Sequence, residues 1–208
     1  MRTLKFQNGG KNGDPTKDNK YSTDPMYKLM ALVQSSPAPE GTTYNVEEDA
    51  MYAPDNSFVS ESSERIDRQL FKETGGVAAK GEDPNKAVSP SGAKGLWQIM
   101  PATQKDLEDR GFIPKGLDPF NPNDSRLMRD AKIRALLRTS FISNPPKPIP
   151  EVNKLARIYA SYNFGEGNVR KALNKAASEG VDIYNDPRLW LQYLPKETRE
   201  YVDHILFK

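Results

Sequence analysis

Glu73 is the residue whose position best suits acid–base chemistry. Ile66, Leu70 and Glu73 recur at the i, i+4, i+7 spacing of one helix face, so a carboxyl group continues an apolar stripe. Burial at such a position disfavours the charged form and raises the pKa, which a general acid working near neutral pH requires. Position alone favours a different interpretation, an acid at a frayed helix end with its side chain turned to water.

The stretch Ser89–Thr103 has the composition of a ligand site. It reads SPSGAKGLWQIMPAT, in which glycine, proline and alanine interrupt a run of large apolar residues around the amide of Gln98. A segment that only filled a core would have no need of these interruptions. Because glycine permits close backbone approach and unusual dihedral angles, the pattern indicates a segment that brings backbone and a few side chains close to a bulky ligand.

The composition argues against several other kinds of chemistry. The chain of 208 residues contains no cysteine, so it offers no disulfide, thiolate zinc site or cysteine nucleophile. Its single histidine, His204, argues against histidine metal sites and Ser-His-Asp triads, and we expect it to be structural. With 30 basic and 28 acidic residues, the formal charge of +2 gives no general attraction to nucleic acid. We therefore expect no metal, no cofactor and no nucleic-acid partner.

Helical patterns surround the candidate residues, and no strand-like alternation of useful length is present. Apolar spacing, caps and breakers predict six helices, which cover Ser62 or Ser63 to about Lys72 before Gly75-Gly76, Pro101 to about Arg110 before Gly111, Asp124 to about Ile142, the Val152–Tyr159 stripe that stops at Asn163–Gly165, the Val169–Ala176 stripe before Gly180, and the residues after Pro195. The sequence therefore predicts a mainly α protein.

The chain divides by composition into two parts. Residues 1–58 are rich in Gly, Asn, Asp, Lys, Ser and Pro, which favours a flexible, largely irregular arm. Within the arm, Asp24–Gln34 has apolar residues at helical spacing, so we expect one short helix that docks on the body or recognises a larger assembly. Residues 59–208 are expected to form a compact helical domain. The N-terminus lacks the apolar region of a secretory signal, and no run is long enough to span a membrane.

Three segments resemble motifs of the soluble lytic transglycosylases, the peptidoglycan-cleaving relatives of goose-type lysozyme. Ser89–Thr103 resembles the central motif of that family. ASYNFGEGNV at 160–169 and LPKETREYV at 194–202 resemble its A-x-Y-N-A-G-x-x-x-V and Y-P-x-E-T-x-x-Y-V segments, and all three occur in the family's order. The resemblance extends from Glu73 to the C-terminus, and it implies a lysozyme-like helical domain that acts on peptidoglycan glycan strands.

By this resemblance, Glu73 is the catalytic acid. The family places that acid at the end of a helix in a Glu-Ser pair, where this chain has Glu73-Thr74 and so keeps a hydroxyl. The loop from Glu73 to Ser89 is longer than is usual in the family. Glu82 lies closer to the central motif, but it falls in a polar loop with no helix to fix it, so we favour Glu73.

The resemblance also implies a mechanism with a single carboxyl group. Glu73 protonates the oxygen that links MurNAc to GlcNAc, and then removes the proton of the MurNAc 6-hydroxyl, so that a 1,6-anhydro ring closes without water. Consistent with a single acid, Asp83, Asp118 and Glu166 fall in predicted loops and are interpreted as solvated turn residues. Substrate contacts are implied for five other residues: Ser89, Gln98, Met100, Tyr162 and Asn163.

Departures from the family pattern occur near the expected groove. Trp97 stands where the family often has methionine, and it either stacks on a sugar or fills the core. Phe164 replaces a small residue and is expected to narrow or reshape the cleft. After Asp118-Pro119, the stretch NPNDSRLMRDAKIRALLRTSF keeps a helix but not the family's Asn, Gly and Tyr-Leu pattern.

Two other functions fit the same sequence. One is a lysozyme-type hydrolase of the same bond, and the other is a non-catalytic glycan-binding or virion-structural protein of the same fold. A wall-directed domain with a polar arm fits a bacteriophage protein that is carried in a virion to the cell wall. Export by a specialised secretion machine is the alternative, and in either case the arm is the candidate contact with the larger assembly.

Overall fold

The computed structural model describes residues 63–208, so the predicted arm at 1–58, its short helix at Asp24–Gln34 and residues 59–62 lie outside the described part. Residues 63–208 are mainly α, as predicted, and the only β-type pairings among them are the isolated bridges Val88–Lys94 and Lys94–Ile99. The α-helices are α1 Ser63–Ala79, α2 Pro101–Asp109, α3 Pro122–Leu137, α4 Ser140–Ser143, α5 Glu151–Phe164, α6 Glu166–Ser178, α7 Pro187–Leu191 and α8 Lys196–Phe207.

Helix α1 is longer than predicted, and this changes the setting of Glu73. The prediction that the helix stops near Lys72 at Gly75-Gly76 is wrong, because α1 continues to Ala79. A Cβ atom at Gly75 would lie 2.6 Å from the ring of Phe71, so this glycine makes room for the ring within the helix rather than ending it. Glu73 therefore lies inside a regular helix and not at a frayed end.

The helix predicted from Asp124 to Ile142 is divided into two. Asn121 caps α3, since its side-chain oxygen accepts from the backbone N–H groups of Asn123 and Asp124 at 2.9 and 3.3 Å. The helix ends at Leu137, where the Thr139 hydroxyl donates to the carbonyl oxygen of Leu136 at 2.7 Å, and α4 then begins at Ser140. The apolar pattern runs through this break because both helices pack against the same core.

Helix α5 is the centre of the core. It packs against α8, α6 and α3, and its residues from Leu155 to Tyr162 are all buried. Val152, which was predicted to belong to its apolar stripe, is 36% exposed, so that part of the prediction is wrong. The predicted stripe of α6 is buried in full, and α2 and α6 are followed by Gly111 and Gly180 with positive φ angles, as the breaker pattern predicts.

Helix α7 was not predicted, although it supplies a core residue. Asp186 caps it by accepting from the Arg188 backbone N–H at 2.9 Å. Its Trp190 is fully buried, and the indole N–H donates to the Asn153 side-chain oxygen of α5 at 3.2 Å. The segment contains only five residues, which is too short for a helical period to be recognised.

The stretch Ser89–Thr103 folds as a tight loop that leads into α2. Its Gly95 has φ +71°, and a Cβ atom there would lie 1.8 Å from the carbonyl oxygen of Pro119. The loop therefore touches the segment before α3 at a point where only glycine fits. Leu96, Trp97 and Ile99 then bury their side chains in the core.

Replacement of Gly95 tests the importance of this close approach. We expect Gly95→Ala to lower the free energy of unfolding by about 2–4 kcal/mol, because left-handed strain and a backbone clash add together. Gly111→Ala is the matched control, since Gly111 has the same φ of +71° with no atom within 4 Å of a Cβ. It should cost only about 1–2 kcal/mol. Urea unfolding of both variants measures the difference, and equal losses would contradict the clash.

Candidate active site

The carboxyl group of Glu73 lies at the contact between α1 and α8. The hydroxyl of Tyr201, on α8, donates to Glu73 Oε1 at 2.5 Å. Tyr201 is 3% exposed, whereas Glu73 keeps a minor part of its surface accessible. An acid in this setting is held in one position by a buried donor and is still within reach of a ligand.

Helix α3 places two cations next to this acid. Lys132 and Arg129 are one turn apart, and the positive charge of each acts on Glu73. The Lys132 ammonium donates to the carbonyl oxygen of Tyr162 at 2.9 Å and lies 3.9 Å from the centroid of the Tyr162 ring. Arg129 is 2% exposed, and its guanidinium lies over the Trp97 ring at 5.3 Å.

Burial dominates the acid–base properties of the site. Desolvation raises the pKa of Glu73 from 4.5 to about 7, against the lowering effects of the Tyr201 hydrogen bond, the Lys132 and Arg129 charges and the side chain of Gln69. Desolvation also lowers the pKa of Lys132 from 10.5 to about 8, although the charge of Glu73 acts in the opposite direction. The sequence-based expectation of a raised pKa at Glu73 agrees with this environment.

A groove of about 350 Å³ runs beside the acid, between α2, α3 and the end of α5. Three of the predicted substrate-binding residues line it: Met100, Tyr162 and Asn163. Lys132 lines the same groove and acts on Glu73, so it connects the groove to the acid. Glu73 itself is not among the lining residues, although part of its surface is accessible.

The polar groups of Tyr162 and Asn163 have partners within the protein. The Tyr162 hydroxyl donates to the carbonyl oxygen of Trp97 at 2.8 Å, which ties α5 to the Ser89–Thr103 loop. The Asn163 side-chain oxygen accepts from the Thr198 hydroxyl at 2.8 Å. These bonds fix both side chains at the C-terminal end of α5, while Asn163 remains exposed.

Ser89 and Gln98 bind their own loop rather than Glu73. The Ser89 hydroxyl oxygen accepts from the Ala93 backbone N–H at 2.9 Å, and the Gln98 amide donates to the Gly95 carbonyl oxygen at 2.8 Å. Gln98 also has φ +47°, and no other non-glycine residue in the described part has a positive φ. Strain of this kind is concentrated at ligand sites, and a substrate contact for either residue stays a prediction.

The other polar residues named in the sequence analysis lie in α1, in loops or at helix ends. The Thr74 hydroxyl donates to the carbonyl oxygen of Leu96 at 3.3 Å, which joins α1 to the loop. Asp83 caps the 3₁₀ turn Pro84–Lys86, and Asp118 accepts from the Phe120 backbone N–H at 2.9 Å. Glu166 is in the first turn of α6 rather than in a loop, which corrects its predicted setting.

Glu82 and His204 fit the roles expected of them. Glu82 is exposed on the loop after α1. His204 stacks on Phe71, with the ring centroids 5.6 Å apart.

Within residues 63–208, no group of three or more His, Cys, Asp or Glu residues is arranged to hold a metal ion. No helix of the described part is both long enough and apolar enough to cross a membrane.

Comparison with known proteins assigns the family. Residues 83–185 match the family model for the transglycosylase SLT domain. Membrane-bound lytic murein transglycosylase D of Escherichia coli (strain K12) is 31% identical over 131 residues, which are 60% of this chain and 24% of that protein. Membrane-bound lytic murein transglycosylase F of Shewanella pealeana is 32% identical over 108 residues, which are 52% of this chain and 19% of that protein.

The chain therefore carries a domain of the lytic transglycosylase family, and its helical fold is of the lysozyme-like kind. No solved structure matches the chain. The chain spans about a quarter or less of the length of the curated relatives it matches. Glu73 lies ahead of residue 83, where the family match begins, so its role depends on the site geometry and on the predicted motif.

Removal of the Tyr201 hydroxyl tests the environment of Glu73. We expect Tyr201→Phe to raise the pKa of Glu73 by about one unit, because the carboxylate form loses a hydrogen bond that favours it. A ¹³C NMR titration of glutamate-labelled protein measures the shift, with the resonance assigned by its absence from Glu73→Gln. Tyr193→Phe is the control, because Tyr193 donates to the exposed Glu179 at 2.6 Å instead. An unchanged pKa in Tyr201→Phe would contradict the assigned bond.

Proposed function

We propose that the protein cleaves the β-1,4 bond between MurNAc and GlcNAc in peptidoglycan and leaves 1,6-anhydro-MurNAc ends, with Glu73 as the single acid and base. The observation that carries this proposal is the Glu73 carboxyl group, which has its pKa raised to about 7 by burial and lies beside a groove lined by Met100, Tyr162 and Asn163. The names of the relatives, both lytic murein transglycosylases, support the same substrate.

In the first step, protonated Glu73 gives its proton to the oxygen of the glycosidic bond. That bond breaks toward the GlcNAc oxygen, which leaves as a hydroxyl group, and positive charge develops on the MurNAc ring. A carboxyl with a pKa near 7 is about half protonated at neutral pH and is therefore a usable acid. The sugar chain lies in the groove, where Asn163 offers an exposed polar side chain.

In the second step, the Glu73 carboxylate removes the proton of the MurNAc 6-hydroxyl, and that oxygen bonds to C1. The proton gained restores the acid, so no water is consumed. The Tyr201 hydroxyl and the cations Lys132 and Arg129 all favour the carboxylate form and stabilise it between the two steps. Glycosidases that use water or an enzyme nucleophile employ a pair of carboxyl groups, whereas in this mechanism the nucleophile belongs to the substrate and one carboxyl is enough.

The wider organisation is also a proposal. We propose a catalytic domain at 59–208 and an arm at 1–58 that engages a virion or, in the alternative, a secretion machine that delivers the domain to the cell wall. The polar, Gly- and Pro-rich composition of the arm supports this assignment. Glycan strands of peptidoglycan are the proposed substrate and partner of the domain.

Substitution of the acid tests the activity. We expect Glu73→Gln to lower muropeptide release from purified sacculi by about 10²–10⁴-fold, because the amide can neither give nor take the proton. Glu82→Gln is the matched control and should keep full activity, since Glu82 is exposed on a loop. If the wild type releases no muropeptides, a non-catalytic glycan-binding protein is the correct interpretation; if Glu73→Gln remains active, another residue is the acid.

The mass of the products separates the two possible outcomes of cleavage. Ring closure by the 6-hydroxyl gives muropeptides that are lighter by one water molecule than those with reducing ends. Mass spectrometry of the released material is therefore expected to show anhydro ends. Reducing ends alone would identify a lysozyme-type hydrolase.

The pH dependence follows from the direction of the Glu73 shift. Because the pKa is raised, the acid keeps its proton as the pH rises to about 7 and loses it above that value. We expect kcat/KM on soluble glycan strands to fall about tenfold per pH unit above about 7. A Glu with its ordinary pKa would place this fall near pH 4.5 instead, and such a profile would contradict the buried environment.

A further inference from the structure

Gln69 is a buried amide on the same face of α1 as Glu73, one helical turn earlier. It is fully buried, with 0% exposure, although polar side chains are seldom buried completely. Its side-chain oxygen accepts two hydrogen bonds from Arg129, at 2.9 Å from Nε and 2.6 Å from Nη2. Burying an amide costs free energy unless its oxygen and its NH₂ group both form hydrogen bonds. The partners of both groups therefore have to be identified.

The two bonds from Arg129 decide which way the amide faces. A guanidinium group has only donors, so the oxygen of Gln69 must point toward Arg129 and its NH₂ group must point away. On that other side lie the Glu73 carboxyl and the Tyr201 hydroxyl, and Gln69 acts on both as a donor that favours their ionised forms. In the resting geometry the NH₂ group has no well-aligned acceptor.

Arg129 is itself held in place. Its guanidinium donates to the Asp130 carboxylate at 2.9 Å and lies over the ring of Trp97 at 5.3 Å. Arg129 is 2% exposed, so its side chain is largely shielded from solvent. The orientation of the Gln69 amide is thus set before any ligand binds.

We propose that Gln69, oriented by Arg129, is a positioning residue that presents a buried N–H donor to Glu73 and stabilises its carboxylate. The unused N–H group is satisfied best when Glu73 has given up its proton, which is the state between the two steps of the reaction. The catalytic consequence rests on the proposed function, whereas the effect of the Gln69 amide on the Glu73 carboxyl does not.

The other groups that face Glu73 have different roles in its titration. Tyr201 on α8 donates one hydrogen bond, and Lys132 and Arg129 on α3 contribute positive charge. Tyr162 on α5 acts on Tyr201 rather than on the acid. Gln69 lies on the same helix as the acid and is uncharged. Its hydrogen-bonding effect on Glu73 can therefore be removed by substitution without changing the charge of the site.

The test removes the NH₂ group while keeping the charge and approximate volume. We expect Gln69→Met to raise the pKa of Glu73 by about one unit in a ¹³C NMR titration, and to move the alkaline fall in muropeptide release to higher pH by the same amount. Arg129→Lys keeps the positive charge but loses the two-bond fork, so the amide is free to turn and the pKa should rise by part of that amount. This second variant decides the matter if Gln69→Met does not fold.

Gln104→Met is the matched control for a lost amide. Gln104 donates to the carbonyl oxygen of Leu117 at 2.9 Å and to Glu108 at 3.0 Å, so its loss also removes internal hydrogen bonds. It should lower thermal stability and leave the pKa of Glu73 unchanged. If both site variants behave in this way, Gln69 is purely structural and the proposal is overturned. The NMR measurement needs no enzymatic activity. If the wild type releases no muropeptides but Gln69→Met still raises the pKa of Glu73, the positioning role is supported and the proposed function is rejected.

Discussion

The site depends on one tertiary contact, the hydrogen bond from Tyr201 to Glu73. These residues are 128 positions apart in the chain, and they meet because α8 packs on both α1 and α5. The packing of α8 against α1 that brings them together also helps to bury the carboxyl group, and burial is the largest influence on its pKa. The acid therefore exists as a usable proton donor only when the last helix is in place, which makes correct folding a condition for its chemistry.

The local features of the fold could largely be predicted from the sequence. Apolar spacing and the breakers Gly111 and Gly180 indicated α2 and α6 correctly, because these signals lie within each helix. The end of α1 was predicted wrongly. Gly75 lies within the helix and makes room for the Phe71 ring, and the sequence pattern does not reveal such a contact between side chain and backbone. Helix α7 is too short to show a period.

The candidate site could be predicted only in part. Glu73 stood out because a carboxyl in an apolar stripe is unusual, and Met100, Tyr162 and Asn163 followed from their motifs. Gln69, Arg129 and Lys132 were missed, because polar residues within a helix are by default assigned to its solvated face. Their roles come from contacts between α1, α3 and α5, and sequence periodicity does not encode the pairing of distant polar groups. The departure of α3 from the family pattern was the one available signal.

The Lys132 ammonium serves two parts of the molecule at once. It donates to a carbonyl oxygen in the last turn of α5, where a cation is favoured by the helix dipole, and its charge also acts on Glu73. A neutral replacement would therefore weaken the end of the central helix and alter the acid together. This shared dependence limits the routes open to evolution at position 132, because thermal robustness and reactivity there cannot be adjusted separately.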